Sequence, residues 1–311
     1  MNTIKITTPA LLLSKFRSKE IKKENKEHNA FWLVFPTTLV LTALFVGGII
    51  FGILQSLGYF SVIAGSNQII GFSAYAAVFK NETVRAGIIL TFRIAFLSTL
   101  LSTFFALAIS LMISRTKKFQ STLIAITQFN IPIPHVVAAT GILLTFSQSG
   151  IVSRLAHHFG ITQSSSDFPV LTNDPFGYGI ILSYLWKEIP FLCVLILSAL
   201  RGPVSKLDET AKTLGATYSF RLRKVILPYI FPSILSGTII VFAFSFGSYE
   251  VPYILGQPYP STVPVVAYQL YTNRDLANRP TAMALATLTS LVIGVLVYLY
   301  MKLTQHESRK A

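Results

Sequence analysis

FWLVFPTTLVLTALFVGGIIFGILQSL, residues 31–57, decides which solvent this chain is built for. No Asp, Glu, Lys or Arg stands between Glu27 and Lys80. A helix rises 1.5 Å per residue, so about 20 apolar residues cross the ~30 Å hydrocarbon core of a bilayer. This run exceeds that length. Its apolar character is continuous, whereas a membrane barrel strand alternates, so a barrel is excluded.

Five further runs of the same kind follow: about Ala86 to Ser114 with Arg93 inside it, Ser121 to Phe146 with Pro132 and Pro134, Gly177 to Leu200 with Lys187 and Glu188, Tyr229 to Tyr249, and Pro280 to Met301. The fold class is therefore an all-α membrane protein of six transmembrane helices. Composition agrees. Hydrophobic residues make up 52% and charged residues only 12%, where a soluble domain carries about a quarter charged residues. The net charge of +14 does not indicate nucleic acid, because the basic residues lie in short clusters between apolar runs rather than in a stripe. Cys193 has no partner for a disulfide and no ligand-spaced companion. Leu11 to Leu13 is too short for a signal-peptide core, so the first long run reads as an uncleaved anchor.

Basic residues orient the spans. Nineteen Lys and Arg fall on the side of the N-terminus, the second-to-third and fourth-to-fifth connections and the C-terminus, against five opposite (Lys80, Arg85, Arg154, Arg274 and Arg279). The positive-inside rule then places both termini in the cytoplasm, as an even number of spans requires. The expected organisation is a basic cytoplasmic segment at 1–30, a six-span body at 31–303 with a cytoplasmic loop at 201–228, and a cytoplasmic tail at 304–311. The three external connections, about 58–85, 147–176 and 250–279, are rich in Gly, Ser, Asn and Pro.

The 201–228 loop is patterned. Ser205 reads as an N-cap, Asp208 and Glu209 as first-turn acids, and Gly215 as a stop, with Leu207, Ala211 and Leu214 on one helical face. Two acids and small residues distinguish it from a lipid-lying helix, which would prefer bulky anchors and a basic face.

Glu209-Thr210-Ala211, three residues, Gly215, nine residues, then Val225-Ile226-Leu227-Pro228 resembles the EAA loop of type I ABC importer permeases: Glu-Ala-Ala, three residues, Gly, nine residues, Ile-x-Leu-Pro. Thr210 and Val225 are the departures. The resemblance extends loosely over residues 30 to 303. It implies a coupling helix, with Glu209, Ala211, Gly215, Leu227 and Pro228 as its motif residues, docking on a cytoplasmic ATPase. It also implies two ATPase subunits that bind ATP and Mg, a second permease (identical or a paralogue), an external solute-binding protein, and residence in a bacterial inner membrane. No Gly-x-x-x-x-Gly-Lys-Ser/Thr loop occurs in this chain, so no ATP site and no enzyme activity is expected of it.

Phe246-Gly247-Ser248-Tyr249-Glu250-Val251-Pro252 with Leu255-Gly256, and Trp186 to Phe191, resemble the polyamine and iron permeases more narrowly, which implies a polyamine or other cationic solute. Glu250, Tyr249, Asn130 and Trp186 are the candidate residues of the translocation path. Glu250 could equally cap backbone freed before Pro252. Arg93 reads as pairing or snorkelling, and Lys187 as structural, since adjacent helical residues point about 100° apart. Pro132 and Pro134 should kink or break the third span, with Gln128 and Asn130 near the freed backbone. His157-His158 alone lacks the ligands of a metal site. Two other classes compete: an ion-gradient-driven secondary transporter, which should show inverted repeats and midplane acids, and a membrane enzyme, which needs catalytic residues clustered at one depth.

Overall fold

The computed structural model describes residues 9–59, 71–116 and 118–308. Part of the connection after the first span (60–70), the start of the 1–30 segment with Lys5, then Lys117, and Arg309 and Lys310 of the tail lie outside the described residues. The chain divides into two compact units, Met1–Leu54 and Gln55–Ala311. The first consists of most of one helix, α1 (Pro9–Ser56), whose Trp32–Ser56 stretch is long and apolar enough to cross a membrane.

The second unit holds α2 (Ser73–Lys80), α3 (Glu82–Arg115), α4 (Gln120–Gln128), α5 (His135–Phe146), α6 (Ile151–His158), α7 (Tyr178–Arg201), α8 (Pro203–Thr213), α9 (Tyr218–Arg221), α10 (Leu227–Gly247), α11 (Glu250–Leu255), α12 (Val263–Tyr271) and α13 (Arg279–Ser308). Among the described residues there is no strand, and six helical stretches have the length and composition of membrane spans.

Local sequence explains the two most buried spans. Asn81 caps α3, its side chain accepting from the Thr83 and Val84 N–H groups at 2.9 and 3.3 Å. Glu82 in the first turn and Arg115 in the last complement the helix dipole. Buried Asp174 accepts from the N–H groups of Phe176, Gly177 and Tyr178 and so fixes the entry to α7. α7 is the axis of the unit. Its Leu192, Cys193, Ile196 and Leu197 pack with Ala106 and Ile113 of α3 and Ile230 and Val241 of α10. α10 approaches closely because of Gly237: a Cβ there would stand 2.7 Å from Leu192 and 2.9 Å from Leu195. Towards the opposite end, Ile180, Ile181 and Tyr184 of α7 pack with Leu90, Ile94, Ala139, Val251 and Leu255.

The third crossing differs from one continuous helix. It is broken between α4 and α5 over Phe129–Pro134, because Pro132 and Pro134 lack the N–H donors a continuous helix needs. α5 has 12 residues and cannot span the core alone at 1.5 Å per residue. The apolar stretch that begins at His135 runs on to His158, through α6. The fifth crossing starts earlier than its apolar run, at Tyr218, and passes through one π-helical segment, Leu222–Ile226. There the Leu227 N–H reaches the Leu222 carbonyl, and the wider turn accommodates Pro228, whose ring would clash with the carbonyl four residues back.

In the 201–228 loop the sequence expectation is corrected at its start. Gly202 is the N-cap and Pro203 the first helical residue of α8, so Ser205 lies inside the helix and bonds back to the Gly202 carbonyl at 3.0 Å. Asp208 and Glu209 consequently sit in mid-helix rather than in the first turn. Pro252 also does not break the chain after Glu250. The break lies at Ser248–Tyr249, and Pro252 occupies the first turn of α11, where a missing donor costs nothing.

Candidate translocation path and coupling loop

The polar centre of the second unit forms around α7. Glu188 is buried between α3 and α10, accepting from Ser245 at 2.5 Å and Ser102 at 3.4 Å. Lys187 points elsewhere. Its Nζ donates to the carbonyls of Asn130, Ile131 and Ile133 at 2.9, 3.0 and 2.6 Å. These are carbonyls freed where Pro132 and Pro134 break the third crossing. The ammonium thus serves as the missing donor set for the α4–α5 joint and also meets the negative end of the α4 dipole. A charge placed in a span must be satisfied internally, and both of these are.

Beside them lies a cavity of about 220 Å³, lined by Ile131, His135, Lys187, Glu188, Phe191, Ile240, Val241 and Phe244. His135 is the first residue of α5 and contacts the Phe244 ring at 4.6 Å between centroids. Nothing in the sequence reading marked His135. The available signal was its place immediately after Pro134, at the helix break.

The four candidate path residues separate into two pairs. Asn130 is buried, and its Nδ2 donates to the Trp186 carbonyl, while the Trp186 ring packs edge-on to Phe129 at 6.3 Å. That pair joins α7 to the helix break. Tyr249 and Glu250 stand together elsewhere. Tyr249 meets Tyr253 at 5.0 Å and Tyr268 of α12 at 4.7 Å, and Tyr253 and Tyr268 are 6.0 Å apart. Glu250 is exposed, its side chain makes no hydrogen bond or ion pair among the described residues, and it lies within Coulombic range of His135. Tyr268 escaped sequence reading because a contact between α11 and α12 leaves no local pattern.

Arg93 is structural in the folded chain. It donates to the Pro175 carbonyl at 2.7 Å and covers the Phe176 ring at 4.5 Å, tying α3 to the entry of α7. His157 and His158 join no metal-holding group among the described residues.

At the far end of α7, α8 closes with a Schellman motif. The Ala216 N–H reaches the Ala211 carbonyl, the Gly215 N–H reaches Lys212, and Gly215 adopts φ +82°. Asp208 pairs with Arg221 at 3.3 Å. Tyr218 lies between Arg115, 3.4 Å from its ring centre, and Arg221 at 5.8 Å. This relay holds α8 to the end of α3 without covering its outer face. Leu207 and Leu214 are 48% and 82% exposed, Glu209 and Gly215 are exposed, and Ala211 is half-buried. Leu227 and Pro228 open α10.

Residues 29–310 match the family described as binding-protein-dependent transport system inner membrane component. The chain belongs to that family. It is a permease subunit of the ABC importer type, and the ion-gradient-driven and enzymatic alternatives fall away with that assignment. The permease is 28% identical over 208 residues to a probable molybdenum ABC transporter permease of Haloferax volcanii, covering 66% of this chain and 71% of that one. It is 26% identical over 236 residues to the spermidine/putrescine transport system permease of Haemophilus influenzae, covering 74% and 80%. A sulfate transport system permease of Salmonella typhimurium is 23% identical over 239 residues, covering 76% and 82%. In fold, the permease superposes with a TM-score of 0.73 on a chain of a bacterial ABC transporter that imports alginate, at 22% identity, covering 91% of this chain and 99% of that one.

Proposed function

We propose that this permease forms half of a pseudo-twofold membrane pathway with a second permease, identical or paralogous. In this reading two ATPase subunits, which bind ATP and Mg, dock on the α8 faces, and an external binding protein delivers the solute. The observation that carries the reading is the outer face of α8. Two leucines at i and i+7 stand in the open, at a helix end that the Asp208–Arg221–Tyr218–Arg115 relay holds in place. Exposed leucines on a fixed helix are costly in water, about 1.5–3 kcal/mol each relative to burial, and a protein groove recovers that energy. ATPase closure would move α8 and, through the relay, α3 against α7 and α10. This is a two-state element biased by a distant ligand.

For the solute, Glu250 favours a cation such as a polyamine. The relatives named above carry anions and cations alike, so no substrate transfers from them to this chain. The side chains of Lys187 and Glu188 are already bonded internally, which leaves Glu250, next in the chain to Tyr249 of the tyrosine cluster, as the carboxylate open to cargo. A carboxylate with π faces suits an ammonium group. Glu250→Gln keeps shape and hydrogen bonding and deletes the charge. Uptake of a cationic solute should fall about tenfold, the equivalent of ~1.4 kcal/mol, while assembly with the ATPase persists. Wild-type uptake by this variant would remove the cationic reading.

Both termini are placed in the cytoplasm on the basic-residue asymmetry. Cysteines introduced at Ser14 and Ser308 should stay unlabelled by an impermeant thiol reagent added to intact cells, and one at Ser164 should be labelled. The reverse pattern would invert the topology and take α8 away from any cytoplasmic ATPase.

A further inference from the structure

α6 stands apart from the pathway and from the coupling loop. It precedes α7 where α8 follows it, so the two lie at opposite ends of that span. Gly150 sets its direction: a Cβ there would meet the Thr145 and Leu144 carbonyls at 2.6 and 2.8 Å, so the chain folds back tightly on the end of α5. Its far end is also fixed. Gly160 at φ +71° and an Ile161 N–H bond to the Ala156 carbonyl at 2.8 Å close it with a Schellman motif.

At 100° per residue the eight residues of α6 divide into three faces. Val152, Ser153 and Ala156 turn towards the rest of the unit and are buried or half-buried. A second flank carries Ile151, Leu155 and, just past the helix end, Phe159, which are 57%, 50% and 73% exposed. The third flank is basic, with Arg154, His157 and His158 exposed. Arg154 Nε donates to the Ser149 carbonyl at 3.1 Å and His157 Nδ1 lies 3.0 Å from the Thr162 carbonyl, which holds both side chains to the loop backbone while the rest of the guanidinium stays open. The nearby carboxylate of Asp167 is engaged by the Gln163 and Ser164 N–H groups at 3.0 and 2.8 Å, which holds it below the usual carboxylate range.

A helix at the junction of protein, hydrocarbon and water needs one face for each. We propose that α6 is an interfacial anchor: its Ile151–Leu155–Phe159 flank enters the acyl boundary of one leaflet, and Arg154 and His158 meet the lipid phosphates. The membrane is the occupant that fits because α6 continues the apolar stretch begun at His135 in α5 and because its charged flank is basic, complementary to phosphate. A protein groove would call for the acidic or small residues that α8 exposes and the open flanks of α6 lack. This inference requires only that the chain spans a membrane, and so stands or falls separately from the cargo and ATPase readings.

The test uses full-length permease in nanodiscs containing phosphatidylglycerol, with Cys193→Ser as background and single spin labels at Ile151→Cys, Leu155→Cys, Phe159→Cys, Arg154→Cys and His158→Cys. Oxygen should relax the first three labels several-fold more effectively than a water-soluble nickel chelate, and the order should reverse at the last two. Nickel access at all five positions would mean a solvated loop, and exclusion of both reagents a protein-covered face; either result overturns the proposal. Because a label could perturb the helix, Phe159→Trp provides a second reading in a Trp32→Phe, Trp186→Phe background. Its fluorescence should be quenched by lipids brominated near the headgroup end of the acyl chain and not by aqueous iodide. Quenching by iodide alone would likewise overturn the proposal.

Discussion

Lys187→Met should leave a protein that inserts but melts early, about 5–10 °C below the wild type in detergent. The ammonium supplies donors to three carbonyls at the α4–α5 break. Asn130 keeps a second donor, the Ile133 N–H at 3.1 Å, so the loss falls on Ile131 and Ile133. A polar group left unpaired costs about 1–3 kcal/mol when buried; these two carbonyls are part-buried, so ~6 kcal/mol is the ceiling, before water from the adjacent cavity relieves part of it. For a unit of this size each kcal/mol moves the melting temperature by about 2–4 °C. Lys187→Arg retains donors and should lose less. A Met variant as stable as the wild type would mean that the break is held by packing alone.

Gly215→Trp should insert normally and transport nothing measurable. A Cβ at Gly215 meets no atom within 4 Å, so the indole projects outward rather than into the chain's own core. The positive φ adds about 1–2 kcal/mol of local strain for any L side chain other than a tolerant one such as Asn. Gly215→Asn is therefore the control for strain and should retain most uptake. Glu209→Lys tests the same helix by charge, since Glu209 is exposed on α8 and its side chain has no bonded partner among the described residues that the change would break. Membrane abundance, ATPase co-purification and uptake measured together separate a docking defect from a folding defect. Normal uptake with both Gly215→Trp and Glu209→Lys in place would remove α8 as the coupling element.

What was legible in the sequence follows the range of the physics behind it. Twenty-residue apolar runs are local and unambiguous, and so is the helix break that Pro132 and Pro134 impose. The true start of α8 was legible as well, since Gly202-Pro203 is an N-cap followed by proline at the first helical position; the more familiar serine cap at Ser205 obscured it. α6 was hidden because no side chain caps it and its loop is rich in polar and small residues. The Lys187 cradle, the Ser102–Glu188–Ser245 bridge and the entry of Tyr268 into the tyrosine cluster join residues distant in the chain. No periodicity encodes such contacts, and only the packing of α3, α5, α7, α10 and α12 brings them together.

The most direct test of the central claim is site-specific photocross-linking in membranes that hold the permease with its ATPase. A benzophenone side chain is placed in turn at Leu207, Leu214 and Ser164, and adducts are identified by mass. Leu207 and Leu214 should each give a covalent adduct with the ATPase subunit, stronger at the more exposed Leu214, and Ser164 none. Absence of ATPase adducts from both leucines, or an ATPase adduct from Ser164, would contradict α8 as the docking helix.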